Sequence, residues 1–405
     1  MYKNFTLHGR LAALLLVAMV FNSCVKDQCR RTYQLYSPVY KSLSQVRAGM
    51  KSDAASPLIN PGKLYIYNNF IFLNERDKGI HVIDNTVASA PRNIAFINIP
   101  GNQDLVVSGS TLYADSYTDL VTFDITDPLN AVTKDFKYNV FPHRGNYVLN
   151  RAGTDNPDEI QVVVGYTTRD TSEACDCGAE LISDAAPGGR GGSMARFTLK
   201  GNYLYTVTTS NLNVFDVSSP QEPVFKHTQG LGWNIETIFP FGQNLFIGST
   251  TGMFIYDIQD PAVPVQQGQF THARSCDPVV TDGKYAYVTL RSGANCPGSA
   301  NQLEVLDVQD LKAPKLVQTY PLNSPFGLSK DDNLLFICDG TAGLKVFDAT
   351  DPASLQPLQQ LTGFFAYDVI AYNNQAIVVT LNGLYQFNYF NTKNIQLVSK
   401  LLIGQ

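Results

Sequence analysis

At 405 residues with 44% apolar and 16% charged side chains, the chain is long and apolar enough for a large ordered core. A formal net charge of −5 without a long basic run argues against nucleic acid as the main partner. No apolar stretch reaches the roughly 20 residues that a membrane-spanning helix needs.

The chain opens with Lys3 and Arg10, then an apolar run over residues 11–21, then Asn22-Ser23-Cys24. A basic start, a short greasy middle and a small residue before the cut describe a secretory signal over residues 1–23, too short to span. The stretch resembles a bacterial lipoprotein signal, departing from it at Phe21, where Leu is usual. What the resemblance implies is a lipidated Cys24, and each buried lipid CH₂ contributes about 0.8 kcal/mol of anchoring. Ordinary cleavage, releasing a soluble periplasmic protein, is the alternative. Lys26-Asp27 is similar to the charged export tag of Bacteroidetes surface lipoproteins, and a solvated linker explains it equally well. Residues 24–57, with Ser, Lys, Arg, Pro38 and Pro57, read as a flexible tether.

From residue 58 a unit repeats. Its clearest copy is Gly343-Leu344-Lys345-Val346-Phe347-Asp348-Ala349-Thr350-Asp351-Pro352: a glycine turn, an apolar strand, then Asp and Pro to end it. Related units lie at 79–84, 119–128, 211–220, 252–261, 302–314 and, worn, 383–388, seven in all. Their closing residues Asp84, Asp124, Asp216, Asp257, Asp307, Asp348 and Asn388 are spaced 40, 92, 41, 50, 41 and 40. A period near 40 with several short strands per unit points to propeller blades rather than a helical solenoid. In the sixth unit, strands are expected at 324–330, 333–338, 344–347 and 355–361.

Units such as Asn202-Tyr203-Leu204-Tyr205, followed by Leu212-Asn213-Val214-Phe215-Asp216-Val217 and Pro220, resemble LVIVD repeats of bacterial and archaeal cell-surface proteins. The resemblance covers residues 58–405 and implies a β-propeller at the cell surface. It brings no catalytic residues. The expected fold is all-β: a seven-bladed β-propeller of four-stranded antiparallel blades, after an N-terminal signal peptide and tether. In the 92-residue gap, residues 142–192 are read as an insertion in or after the second blade. There, 159–167 would form or extend that blade's outer strand, and an eroded eighth blade is the alternative.

If Cys24 carries lipid, six cysteines remain in a compartment that permits disulfides. Cys276 and Cys296 flank the enlarged loop of the fifth unit and are the preferred pair. Cys338, within an apolar strand, reads as a buried small hydrophobe. Cys175-Asp176-Cys177 lacks a nearby His and is a poor zinc set, so a disulfide is preferred, either local or long-range with Cys29 as a candidate partner. The sequence contains no His-x-x-x-His pair, phosphate loop, nucleophile elbow or calcium loop. No metal or cofactor is expected.

Four units carry an acid where the inner strand begins: Asp104, Glu236, Asp277 and Asp368, with Arg196 as a basic counterpart in the third. Like charges around a narrow channel would attract a cation. The alternative is that each acid bonds nearby backbone amides and fixes blade geometry. Arg274 and Arg291, near the Cys276 loop, are candidates for gripping a carboxylate or sulfate. Pairing with Asp277 and stacking on aromatics is the other reading. Trp233, the single tryptophan, follows Gly230 and Gly232 and is either a sugar platform or a packing anchor. The expected function is a non-catalytic binding or scaffold module for an envelope protein or glycan. It would be lipid-anchored at the outer membrane or cell surface, with no other membrane contact. The alternative is a polysaccharide lyase or hydrolase working at the channel mouth.

Overall fold

A computed structural model describes residues 30–142, 148–150, 153–174, 195–276, 278–293, 298 and 300–404, without the side chains of 30–33 and 170–174. The chain divides into two compact units. In the smaller, the described segments 30–39 and 165–174 are strand throughout and belong to strands that are hydrogen-bonded neighbours. The larger holds residues 40–164 and 186–405, and it is almost entirely antiparallel sheet.

Sheets in the larger unit follow the repeat. The first joins Pro61–Tyr67, Phe70–Glu75, Gly79–Asp84 and Arg92–Asn98, with a fifth strand, Lys51–Ala54, on its outer edge. The second is Leu105–Ser108, Thr111–Ser116, Asp119–Asp124 and Val132–Lys137; the third Phe197–Lys200, Tyr203–Val207, Asn211–Asp216 and Val224–Gly230. The fourth runs over Ile235–Phe241, Asn244–Ser249, Gly252–Asp257 and Val265–Thr271; the fifth over Val279–Thr281, Tyr285–Leu290, Gln302–Asp307 and Lys315–Pro321. The sixth is Leu328–Asp331, Leu334–Cys338, Leu344–Asp348 and Gln356–Leu361; the last Ala366–Tyr372, Gln375–Thr380, Gly383–Asn388 and Gln396–Leu402. First strands contact first strands of neighbouring sheets, so the chain runs outward from the axis within each sheet. This is a β-propeller.

The core lies between sheets. Tyr113 and Leu120 of the second pack with Phe197 and Leu204 of the third, and Tyr205 and Val214 of the third with Ile238 and Ile247 of the fourth. The same face-to-face burial joins fourth to fifth, fifth to sixth and sixth to last. Ile71 and Leu73 of the first sheet meet Ile377 and Val379 of the last, which closes the ring. A sheet covered on both faces needs apolar residues on both, which is why Leu334–Cys338 reads as one continuous apolar run.

Each unit's closing Asp bonds the amide two residues on, at 2.7–3.0 Å: Asp84 to Thr86, Asp124 to Thr126, Asp216 to Ser218, Asp257 to Gln259, Asp307 to Gln309, Asp348 to Thr350. Asn388 does the same for Phe390 at 3.0 Å. The Asp therefore ends the third strand by offering the backbone a local turn. Just before it, the third-to-outer pairing of all seven of these sheets slips by one residue, as between Val346 and Phe347. Such bulges increase twist. A second device ties blade to blade: Tyr113, Tyr205 and Tyr320 donate to the carbonyls of Pro220, Pro261 and Pro352, in the Asp-to-Pro turn of the next sheet, at 2.7–3.0 Å. Burial pushes the Tyr113 and Tyr205 phenols up.

Three expectations change. The tether reading of residues 24–57 fails from residue 30 onward, residues 24–29 lying outside the described set. Ser42 and Gln45 form a capping box that starts a short helix, Leu43–Ala48. Leu43, Val46 and Met50 lie in the core shared by the first two sheets. Residues 159–167 do not supply the second sheet's outer strand, which is Val132–Lys137. The strand Gln161–Ala174 instead pairs with Val148–Leu149, through Val148 to Val162 and Leu149 to Gln161. In the sixth sheet the inner strand begins at Leu328 rather than 324, because the Asp339 carboxylate takes the amides of Asn323 and Ser324.

Tyr205→Phe, which keeps the ring and deletes only the bond to Pro261, should lower unfolding free energy by about 0.5–1.5 kcal/mol, measured by denaturant unfolding. The Thr86 hydroxyl and amide hold the Asp84 carboxyl down to about 2, and the Ser218 hydroxyl and amide do the same for Asp216. Their folded values lie below the ordinary 3.8, so this contribution is complete above pH 3.8 and disappears as pH falls through 2. Unfolding across that window should show a shallower acid loss in the Asp84→Asn/Asp216→Asn variant than in wild type.

Candidate functional site

Antiparallel order gives the ring two different rims. One carries the first-to-second turns and the Asp-to-Pro turns of the repeat. The other carries the second-to-third turns and every connection from an outer strand to the next inner strand. The long segments 138–196 and 291–301 both leave from this second rim, beside the starts of the inner strands. The described candidate residues of the larger unit fall there too.

The like-charged ring does not form as expected. Asp104 is 1% exposed, Glu236 6% and Asp368 0%, so none is a solvated channel carboxylate. Asp104 is ion-paired with Lys63, which opens the inner strand of the first sheet, and it accepts the Arg196 amide of the third at 2.5 Å. Three successive sheets are therefore pinned by one carboxylate. Burial lowers Lys63 to about 8, with Arg196 adding to the effect and Asp104 opposing it. Asp368 lies against the backbone of Gly327, where a Cβ would come within 2.3 Å of its Oδ1. Beside it the buried Asp339 is paired with Lys345 at 2.7 Å. Asp277 lies outside the described residues.

Sequence reasoning missed Lys63. Its signal was positional: Gly62-Lys63-Leu64, Gln103-Asp104-Leu105 and Ala195-Arg196-Phe197 set a charge before the first buried apolar residue of each inner strand. Read in alignment, they give plus, minus, plus rather than a row of acids. His81 is structural as well: buried, it sits 3.1 Å from Glu75, whose carboxylate accepts the amides of Ile59 and Asn60.

Arg291 stacks over Phe326, 4.1 Å from the ring centroid, which matches the aromatic-stacking reading. Its backbone pairs with that of Cys276 at 3.0 and 3.1 Å. Cys276 is disulfide-bonded; Cys296 lies outside the described residues, as do Cys24, Cys29, Cys175 and Cys177. Cys338 is free and buried, as its strand context predicts. Arg274 is exposed. Trp233 is 83% exposed, so it is no packing anchor. Depressions of about 400 and 440 Å³ lie at Asp257–Lys312 and Lys134–Phe225, both lined by outer strands and Asp-to-Pro turns rather than by these residues.

Residues 191–228 match the LVIVD repeat. This repeat contains the third sheet's Asn211–Asp216 strand with its Asp216 turn and Pro220. Among curated proteins no sequence matches the chain. Solved structures share the fold at low identity. A Lactobacillus plantarum protein aligns at 12% identity over 87% of this chain and 96% of that one, with a TM-score of 0.54. BamB from Moraxella catarrhalis aligns at 9% over 88% and 95%, TM-score 0.50. PorZ, an essential bacterial surface component of the type-IX secretion system of Porphyromonas gingivalis, aligns at 12% over 87% of this chain and 40% of its own, TM-score 0.51. At these identities the likeness is one of fold.

Lys63→Met should cost about 3–5 kcal/mol in denaturant unfolding, because it leaves the Asp104 charge buried without its cation. The Lys63→Met/Asp104→Leu double variant should recover a substantial part of that loss.

Proposed function

We propose that the chain is a seven-bladed, lipid-anchored propeller of the bacterial cell envelope that binds a protein or glycan without transforming it. What supports seven blades is that, among the described residues, seven core clusters are each shared by consecutive sheets or by the first and last. The strand Gln161–Ala174 joins none of the sheets in that succession.

The observation that carries the binding reading is the division of labour on the connection-bearing rim. Lys63 and Asp104 are spent on each other, and Asp104 also on the Arg196 backbone amide. The side chains left for an outside partner, Trp233 and Arg274, are exposed around it. A rigid ring that holds its functional groups on connecting loops suits recognition. The envelope address rests on the leader and Cys24, not on the likeness to PorZ.

Two measurements test this. Wild type should sediment with membranes and incorporate labelled palmitate, while Cys24→Ala should be released as soluble protein; a variant that stays membrane-bound would remove the lipid anchor from the proposal. Immobilised protein should retain a component of envelope extract and leave envelope polysaccharides at their original chain length. Shortened polysaccharide would favour the lyase or hydrolase instead.

A further inference from the structure

The turn that carries Trp233 is held rigidly and presents its side chain to solvent. Leu231 is buried and donates its amide to Ser210 at 2.8 Å; Ile235 donates to Thr209 at 3.0 Å. The Asn234 carbonyl accepts the Thr250 amide at 3.0 Å. Between these anchors Gly232 and Asn234 take φ of 107° and 56°, left-handed values that a non-glycine residue such as Asn234 adopts only where the surroundings enforce them. Side chains added at Gly230 or Gly232 would meet nothing within 4 Å. The space beside the indole is open.

The neighbours of this turn are polar and connected. Thr250 and Thr251 accept the amides of Ser275 and His272 at 3.0 and 3.2 Å, so four loops of the third, fourth and fifth sheets form one continuous surface. Thr209, Asn234, Thr251 and Arg274 are exposed on it. Among the described residues of 226–240, 242–262 and 266–315, Trp233 is the only large apolar side chain that is exposed. The Thr250 hydroxyl is buried and has no hydrogen-bond partner among the described residues, although buried polar groups normally find one. A tryptophan used to grip a protein sits within an apolar patch that excludes water. Here a lone exposed indole shares its surface with exposed hydroxyls, an amide and a guanidinium, which suits a ligand whose own flat C–H face is rimmed with hydroxyls.

We propose that Trp233 is the stacking platform of a carbohydrate site, and that its ligand is a β-linked glucopyranose chain, neutral or oxidised to the uronate. In such a sugar the ring C–H bonds are axial and the hydroxyls equatorial. The ring can then lie flat on the indole while its rim reaches Thr209, Asn234 and Thr251. Arg274 stands where a uronate carboxylate would be met. This deepens the binding-module reading and rests on it.

The chain has a single Trp, so its fluorescence reports on this site alone. Cellohexaose and a β-1,4-linked glucuronic acid oligomer are the probes, one neutral and one acidic. At least one should shift and saturate the emission of the full chain. By calorimetry, Trp233→Ala should weaken that binding by roughly tenfold or more, which corresponds to about 1.4 kcal/mol or more. Because the side chain is exposed, the variant should keep its unfolding midpoint. Arg274→Ala should weaken the uronate arm and leave the neutral one unchanged. No emission change with either sugar, or undiminished binding by Trp233→Ala, would overturn the proposal. If envelope protein is nevertheless captured by wild type and not by Trp233→Ala, the rim remains a binding surface and only its carbohydrate ligand is lost. Sugar that binds at Trp233 and is then cleaved supports the site and removes the non-catalytic reading.

Discussion

Every sheet of this ring is apolar on both faces, and neither face can be covered from within the sheet. Tyr113 and Leu120 have their cover in Phe197 and Leu204, residues 84 positions further on in sequence, and Ile71 has its cover in Ile377, far along the chain. At about 1.5–3 kcal/mol for each large aliphatic side chain removed from water, the seam between first and last sheets is a substantial part of the fold. Each sheet is built from consecutive strands, so no exchanged strand locks that seam. It is held by packing, by the Gly404 amide on Leu58 at 2.8 Å and by Gln386 on Asn85 at 2.7 Å. Stability is therefore a property of the closed circle rather than of any one sheet.

The N-terminal segment bears on the same constraint. The first sheet has a fifth strand, Lys51–Ala54, paired to its outer strand Arg92–Asn98. This covers an edge that would otherwise offer unpaired backbone groups. The helix before it sends Leu43 and Val46 into the core between the first two sheets, and Arg47 pairs with the buried Asp119 at 2.8 Å while lying over Phe136. Desolvation raises the Asp119 carboxyl despite that pairing. Residues that look like linker in composition thus act as a side cover for two sheets.

What the sequence made legible follows the range of the interactions involved. The Asp turn, the glycine before the third strand and the apolar second strand are local, and they repeat, so Asp84 through Asp348 announce themselves. At Gly343, φ is 81° and a Cβ would lie 2.0 Å from the Leu361 carbonyl, so the glycine that opens the unit is fixed by its own sheet. The features missed depend on a partner far along the chain. Lys63 has meaning only beside Asp104, and the Tyr205 hydroxyl only beside Pro261 of the next sheet. The bulge in every third-to-outer pairing leaves no residue signature, because it arises from backbone twist. The helix over Leu43–Ala48 was too short for its periodicity to register. It was readable instead from Ser42 and Gln45 at capping-box spacing, with Leu43 and Val46 three apart.

The two rims then differ for a physical reason. On the repeat-bearing rim, each turn is specified by its Asp, and in three sheets by a tyrosine reaching across from the neighbour, so the backbone there is committed to holding the ring together. On the opposite rim the structural ties sit at the channel, where Asp104 joins Lys63 and the Arg196 amide, and the loops outside them carry only the short bonds that tie one loop to the next. It can take up a 59-residue connection between Lys137 and Phe197 without disturbing the flanking sheets, since loop closure grows only slowly with length. It can also hold Trp233 in solvent on a turn whose two ends are locked. A fold that settles its stability at the sheet faces, on one rim and at the channel leaves the outer loops of the other rim free for recognition, and there the chain has placed its single indole, exposed.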